Sequence, residues 1–300
     1  MESLNVKLPV FKRNSPIAVC LGNFDGIHKG HQKLIKKTVE VAKKSDISSA
    51  FFTFSPNPRK FFSKDRVYQL TSIDDRKEIV SEYGIDLFLE FEFNELSMNL
   101  SPVEFVEKVL IPLNVKYVVC GFDYTFGKFG AGKVKDLVAL SKGRYEVVVV
   151  DEFEYLHEKV STTRIMNELS NGNLIMTKEL LGRDYCIKGN VVKGLNNGQK
   201  IGFPTINIDN GEYFLPKCGV YGVEVVIGNE KVRGIGNLGK HPTISMLEKP
   251  ILEIHLLEFS REIYGENVIV VFKKYLREEQ KFSSVDELKK QIKIDTFSDF

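Results

Sequence analysis

Short, almost continuously apolar runs alternate with stretches of helical period from the N-terminus to Asp151. PIAVCLG (16–22), SAFFTF (49–54), IDLFLEF (85–91), VKYVVCG (115–121) and YEVVVVD (145–151) read as strands buried on both faces, as in a parallel sheet covered by helices. Between the first two runs, HQKLIKKTVEVAKK (31–44) sets Leu34, Ile35, Val39 and Ala42 on one side and its lysines on the other, which predicts an amphipathic helix. Another helix is predicted from Ser101, with Pro102 at the first helical position and Glu104 three residues after the cap. Five strands alternating with helices predict a doubly wound α/β domain. Two more helical stretches, 162–170 and 174–181, run up to Gly182.

The pattern then changes. From Tyr185 to Leu276 there are short β-rich runs between glycine turns: YCIKGNVV, PTINI, GVYGVEVVI, KVRGIGNL, ILEIHLLEF and NVIVVFKKYL. Repeated turn signals without long helical patterns predict a small antiparallel barrel. A last helix is predicted after Ser283 or Ser284, with Leu288 and Ile292 inward. The expected domains are 1–183 and 184–300, and 300 residues suit two.

Composition narrows the function. Basic residues number 26 against 24 acidic up to position 183, and 16 against 16 after it. Neither half is the basic body that binds nucleic acid through its phosphates, so no nucleic-acid partner is expected. No run reaches the roughly 18 apolar residues of a membrane span and MESLNVKLPVFKRN lacks a signal-peptide core, so a cytoplasmic protein without a membrane partner is expected. Cys20, Cys120, Cys186 and Cys218 are far apart and form no CxxC pair, which argues for reduced thiols rather than a zinc or disulfide framework.

The most informative segment is GNFDGIHKGH (22–31). Glycines follow a buried strand and a helix starts at once, which presents backbone N–H groups and a positive helix end to a phosphate. The dinucleotide fingerprint GxGxxG is absent. His28 and His31, three apart, are expected to share a face at the mouth of this site. Gly30 between them is expected to leave room for a flat base. No third ligand nearby suggests zinc. GKFGAGKV (127–134) contains GxxxxGK, but Val134 stands where the Mg²⁺-binding hydroxyl of a P-loop belongs, so it reads as a glycine-rich surface loop.

The HxGH form in this context resembles the nucleotidylyltransferase superfamily, whose histidines steady charge on the α-phosphate of a nucleoside triphosphate. Downstream, TFSPNP (53–58), GFDYTFG (121–127) and VSTTRI (160–165) follow in order. Together they resemble the bacterial bifunctional riboflavin kinase/FMN adenylyltransferase family. The resemblance implies an adenylyltransferase domain followed by a riboflavin kinase barrel. In the first domain it implies nucleotide contacts from Gly22, Asn23, Phe24, Asp25, Gly26, Gly30, Ser161, Thr162, Thr163 and Arg164. It implies flavin contacts there from Pro56, Pro58, Asp123, Tyr124 and Phe126.

The C-terminal half carries a second, independent resemblance. GNVVKGLNNGQKIGFPTIN (189–207), GIGNLGKHPT (234–243) and EIHLLEFSREIYGENVIVVF (253–272) match the family's kinase domain in order. Phosphorylating a hydroxyl benefits from a carboxylate base, and the resemblance makes Glu253 that base. It further implies Thr205 and Asn207 as oxygen ligands for Mg²⁺, Asn237 at the flavin, and Gly189 and Gly202 bounding a loop that closes over ATP. Riboflavin, FMN and FAD are the implied substrates or products, and the protein is expected as a monomer or weak homo-oligomer. Three positions depart from the family: Ile206 replaces a small residue, His241 replaces Arg, and Met166 stands where a second Arg follows Arg164. Met166 opens the alternative of a kinase whose adenylyltransferase has weakened. A flavin-binding regulator without turnover is the rival of another class.

Overall fold

The apolar runs form strands where their pattern places them, and one strand joins that no pattern announces. The computed structural model describes residues 1–63, 66–194, 202–239 and 250–300. Its first sheet has six parallel strands: β1 (Glu2–Val6), β2 (Ile17–Leu21), β3 (Ser48–Ser55), β4 (Leu87–Glu92), β5 (Val115–Gly121) and β6 (Glu146–Val150). Their order across the sheet is β1-β4-β3-β2-β5-β6. The unpredicted β1 pairs with β4, from Glu2 opposite Leu87 to Val6 opposite Phe91. As an edge strand its residues are mostly exposed, so ESLNV needs no apolar run, and a paired neighbour supplies what its own sequence lacks.

Alternate strand residues feed two cores. Val19, Leu21, Phe52, Leu89 and Val118 face one side with Phe105, Val109 and Leu113. Cys20, Phe51, Phe88 and Val119 face the other, against Ile35 and Val39 of α1 (Lys29–Lys44). Ser101 and Glu104 form the expected reciprocal capping box. A second such box, Ser72 with Asp75, opens α2 (Ile73–Ser81), a helix the sequence reading passed over. The GKFGAGKV segment is a small hairpin, Thr125–Phe126 paired with Gly132–Lys133, leading into α3 (Val134–Ser141). From β2 the chain moves one way to β3, and from β5 the other way to β6. The crevice at the C-terminal ends of β2 and β5 is therefore the switch point where open α/β sheets bind ligands.

The chain divides into two compact units, Met1–Thr162 and Thr163–Phe300. Helix α4 (Thr162–Ser170) begins at the division, and α5 (Leu174–Leu181) ends at Gly182 in a left-handed cap with φ of 75°. Both helices are tied to the barrel: Lys217 N donates to Leu169 O, and Lys178 and Lys273 both pair with Asp184. The barrel itself is closed and antiparallel. Its strands are β7 (Cys186–Val192), β8 (Ile206–Asp209), β9 (Gly219–Ile227), β10 (Glu230–Gly239), β11 (Ile251–Leu256) and β12 (Asn267–Arg277), circling in the order β7-β8-β11-β10-β9-β12. The last helix, α6 (Val285–Thr296), is capped by Ser284, which accepts from Glu287 N.

Candidate active sites

The loop after β2 is held from behind by a buried ionic network. Asp25 is 4 % exposed, and its carboxylate accepts from the backbone of Leu70 and Thr71 and from the Thr71 hydroxyl. Arg76, 2 % exposed, lies 3.5 Å from that carboxylate. The guanidinium also donates to the carbonyls of Asn23 and Thr71 and to Gln69. Arg76 thus joins the loop to the segment before α2. Sequence reasoning missed it, because an Arg in a polar helix start looks like a solvated charge.

These bonds revise several expected nucleotide contacts. The Asp25 side chain is an internal anchor, since all its oxygens' partners are protein groups already named. Phe24 is 1 % exposed and packs on Phe51 and His31, so its ring belongs to the core. It sits at φ of 52°, and a Cβ at Gly22 would meet its ring at 2.9 Å, so Gly22 serves the loop's own packing. Gly26, at φ of 83°, donates its N–H to Thr71 Oγ1. The room at Gly30 is taken by the His28 ring, 3.1 Å from where a Cβ would stand, rather than left for a base. Asn23 is exposed.

The two histidines come together. His28 is the N-cap of α1, one position before the helix, and its Nδ1 accepts from His31 N at 3.3 Å. With Nδ1 an acceptor, the proton of the neutral ring sits on Nε2. The rings stack at 3.6 Å between centroids, 19° apart. Burial, then the neighbouring His28 and Arg76 charges, push the His31 imidazole well below its ordinary range. Its Nδ1 is buried with no hydrogen-bond partner among the described residues. A stacked pair at a helix N-terminus, one ring held neutral, is built to meet an anion that brings its own charge.

The other predicted segments fall unevenly. Thr162 donates from Oγ1 to Asp25 O at 3.0 Å, tying its segment to the same loop. Thr163 and Arg164 lie beyond the division, in the second unit, and Ser161 before it. Met166 is half-buried on α4. Asp123 is exposed and paired with Lys159. The Tyr124 hydroxyl is buried and has no hydrogen-bond partner among the described residues, and burial raises its pKa far above the usual phenol value. Phe126 is a correction: 5 % exposed, packed on Phe105 with Gly132 against its ring, it is core and offers no face to a ligand. Phe129, three residues further on, is 81 % exposed.

Phe129 belongs to an aromatic wall that the sequence reading also missed. Pro56 is exposed, and Pro58 opens a helical turn carrying Phe61 and Phe62, which are 43 % and 56 % exposed. Their rings gather around Phe93, with Phe54 behind it and Phe129 beside Phe62. So many exposed aromatic faces in one place point to a flat ring ligand.

In the barrel, strand register assembles the site. Asn207 of β8 and Asn237 of β10 both stand directly opposite Glu253 of β11, and opposed residues share a face. Glu253, Asn237 and Thr205 line a cavity of about 410 Å³ with Phe203, Ile235 and His255. That volume lies in the usual range for a small-molecule site. Asn207 is 8 % exposed, and a Cβ at Gly194 would fall 1.9 Å from its amide nitrogen, so the backbone at Gly194 runs against it. Gly189 is a second correction. It sits within β7 opposite Val268, and a Cβ there would strike Ile208 and the Asp209 carbonyl, so it permits close strand packing instead of covering a nucleotide. Gly202 adopts φ of 86°, and among the described residues no atom lies within 4 Å of where its Cβ would stand. His241 and most of the loop between Gly194 and Gly202 lie outside the described residues.

Comparison with known proteins covers both halves of the chain. A family model described as FAD synthetase matches residues 10–164, and one described as riboflavin kinase matches 181–298. The bifunctional riboflavin kinase/FMN adenylyltransferase of Listeria monocytogenes is 38 % identical over 280 residues, covering 92 % of this chain and 89 % of the relative. Those of Bacillus subtilis and Escherichia coli K12 are each 33 % identical, covering 98 % and 91 % of this chain and 96 % and 88 % of their own. A solved structure titled as a macrolide-efflux protein from Streptococcus pneumoniae matches with a TM-score of 0.88 at 30 % identity, over 97 % of each chain. No helix among the described residues is long and apolar enough to cross a membrane. Two family models in this order, and relatives aligned along nearly the whole chain, show that it belongs to the bifunctional riboflavin kinase/FMN adenylyltransferase family.

Proposed function

We propose that the chain performs its family's two reactions at the two sites described above. ATP-dependent phosphorylation of riboflavin is assigned to the barrel, residues 184–300. ATP-dependent adenylylation of FMN, with release of pyrophosphate, is assigned to the domain ending by residue 183. The observation that carries this reading is the difference in chemical equipment: a carboxylate in the barrel cavity, a stacked imidazole pair after β2.

The chemistry requires that difference. Riboflavin attacks the γ-phosphate with an alkyl hydroxyl, which needs its proton removed, and Glu253 is the group placed to take it. FMN attacks the α-phosphate with a phosphate of its own, whose second pKa is about 6, so it arrives deprotonated. There the need is to hold negative charge, and His28 with His31 supplies donors at a helix N-terminus. The wall of Phe61, Phe62 and Phe129 suits the isoalloxazine ring of FMN, while Pro58 sets its first turn.

Mg²⁺ would arrive with ATP. Thr205 and Asn207 would hold it in the barrel, because hydroxyl and amide oxygens are the hard donors this ion accepts beside phosphates. Bound there, it would neutralise charge on the phosphates. We further place the protein in the cytoplasm, as a monomer or weak homo-oligomer, a reading supported by four free cysteines.

Incubation of the protein with riboflavin, ATP and Mg²⁺, followed by chromatographic separation of flavins, tests the assignment. FMN and FAD are both expected. FMN alone would remove adenylyl transfer, and neither product would leave a flavin-binding protein without turnover.

A further inference from the structure

The closing helix is pinned to the barrel by a buried clasp. Arg277, the last residue of β12, donates from Nε and Nη2 to the Asp295 carboxylate at 2.8–3.2 Å. Its Nη1 donates to the Glu278 carbonyl. Asp295 is 4 % exposed and also accepts from Gln291, one turn earlier on α6. Every described bond of this carboxylate and guanidinium is thus to protein.

What the clasp holds is a wall of the kinase cavity. Asp295, Ile292 and Leu288 lie three and four residues apart, so they share one face of α6. All three line the cavity, opposite Phe203, Val220 and Ile235 of the barrel. An exposed helix of this length is marginal by itself, and its position depends on what fastens it. A bidentate Arg–carboxylate pair fixes angle as well as distance, which a single apolar contact does not.

We propose that Arg277 and Asp295 are positioning residues for riboflavin: their clasp sets the width of the slot between α6 and the barrel, and with it the grip on the flavin ring. This rests on the reading that riboflavin occupies the barrel cavity. Neither residue takes part in phosphoryl transfer, so loosening the clasp removes binding that is equal in the ground and transition states. That changes KM rather than kcat.

The test uses the full chain and three variants, following FMN formation against riboflavin and ATP separately. Asp295→Asn keeps the side-chain volume and loses the charge, and should raise the riboflavin KM about tenfold or more while kcat and the ATP KM stay within about twofold. Arg277→Lys keeps the charge but not the fork, and should fall between the two. Leu288→Ala trims the wall itself and should raise the riboflavin KM several-fold whatever the clasp does. Melting curves of each variant accompany the kinetics, and if Asp295→Asn does not fold, Arg277→Lys carries the comparison. A clasp variant that lowers only the melting temperature, or moves kcat and both KM values together, would overturn the proposal. If Leu288→Ala also leaves the riboflavin KM unchanged, the ring lies elsewhere and the underlying reading falls with it.

Discussion

After β2 the candidate side chains His28 and His31 stand at a helix start whose preceding loop is held from behind, whereas in the barrel the candidates Asn207, Glu253 and Asn237 stand on strands held from the side. The first arrangement needs interior charge: Asp25 and Arg76 are both buried, and between them they fasten the loop, through the Asp25 carboxylate and the Asn23 carbonyl, to Thr71 and Gln69. The second needs only register, because pairing of three antiparallel strands puts Asn207, Glu253 and Asn237 in one row. A loop can bend around an anion and present backbone N–H groups, but its conformation has to be imposed by a network. A strand row is rigid without help and suits one well-placed carboxylate. The proposed reactions would divide in the same way, charge holding in one place and proton removal in the other.

The comparison is broken most sharply at the carboxylate. Glu253→Gln keeps the shape of the row and removes its base, so FMN formation should fall by about 10²–10⁴ while FAD formation from supplied FMN is unchanged. Assaying the two steps separately decides it, and kinase activity within a few-fold of the parent would take Glu253 out of the mechanism.

Next in size is the network behind the loop. Arg76→Met leaves Asp25 buried without its cation and should cost about 3–5 kcal/mol of stability in the first unit. The counterpart in the barrel, Asn237→Ala, changes an exposed side chain and should cost under about 1 kcal/mol. Denaturant melts of both variants measure the contrast, and equal losses would mean the loop is held by packing instead of charge.

His28→Ala removes both an imidazole and the N-cap of α1. FAD formation should drop by about 10²–10³, with the kinase spared. His28→Asn separates the two roles: Asn caps well, so it should restore the melting temperature without restoring adenylyl transfer.

The smallest effect is on pH. The His31 pKa is depressed in the folded chain, so the unfolded chain binds the extra proton first as pH falls. Stability of the first unit should therefore be full above about pH 6.5 and decline below it, as the unfolded histidine titrates. His31→Gln should flatten that part of the curve in a series of melts from neutral to acid pH, and an unchanged slope would assign it to other groups.

The α/β and barrel architecture, the cap at Ser101 and the pairing of His28 with His31 were legible in the chain because each follows from local rules: period, capping chemistry and spacing. What the sequence could not say is which side chains turn inward. Phe24, Asp25 and Phe126 sit in motifs that read as ligand contacts, yet all three are buried, while Phe129, three residues past Phe126, is the exposed ring. A motif specifies a backbone path, and burial depends on neighbours brought from far along the chain. Arg76 reaches a loop more than fifty residues away, β1 pairs with β4 from far along the chain, and Asp295 meets Arg277 across the end of the barrel. Those partnerships are decided by tertiary structure alone, because a buried charge is stable only where its counter-charge is also buried, and no local pattern records where that will be.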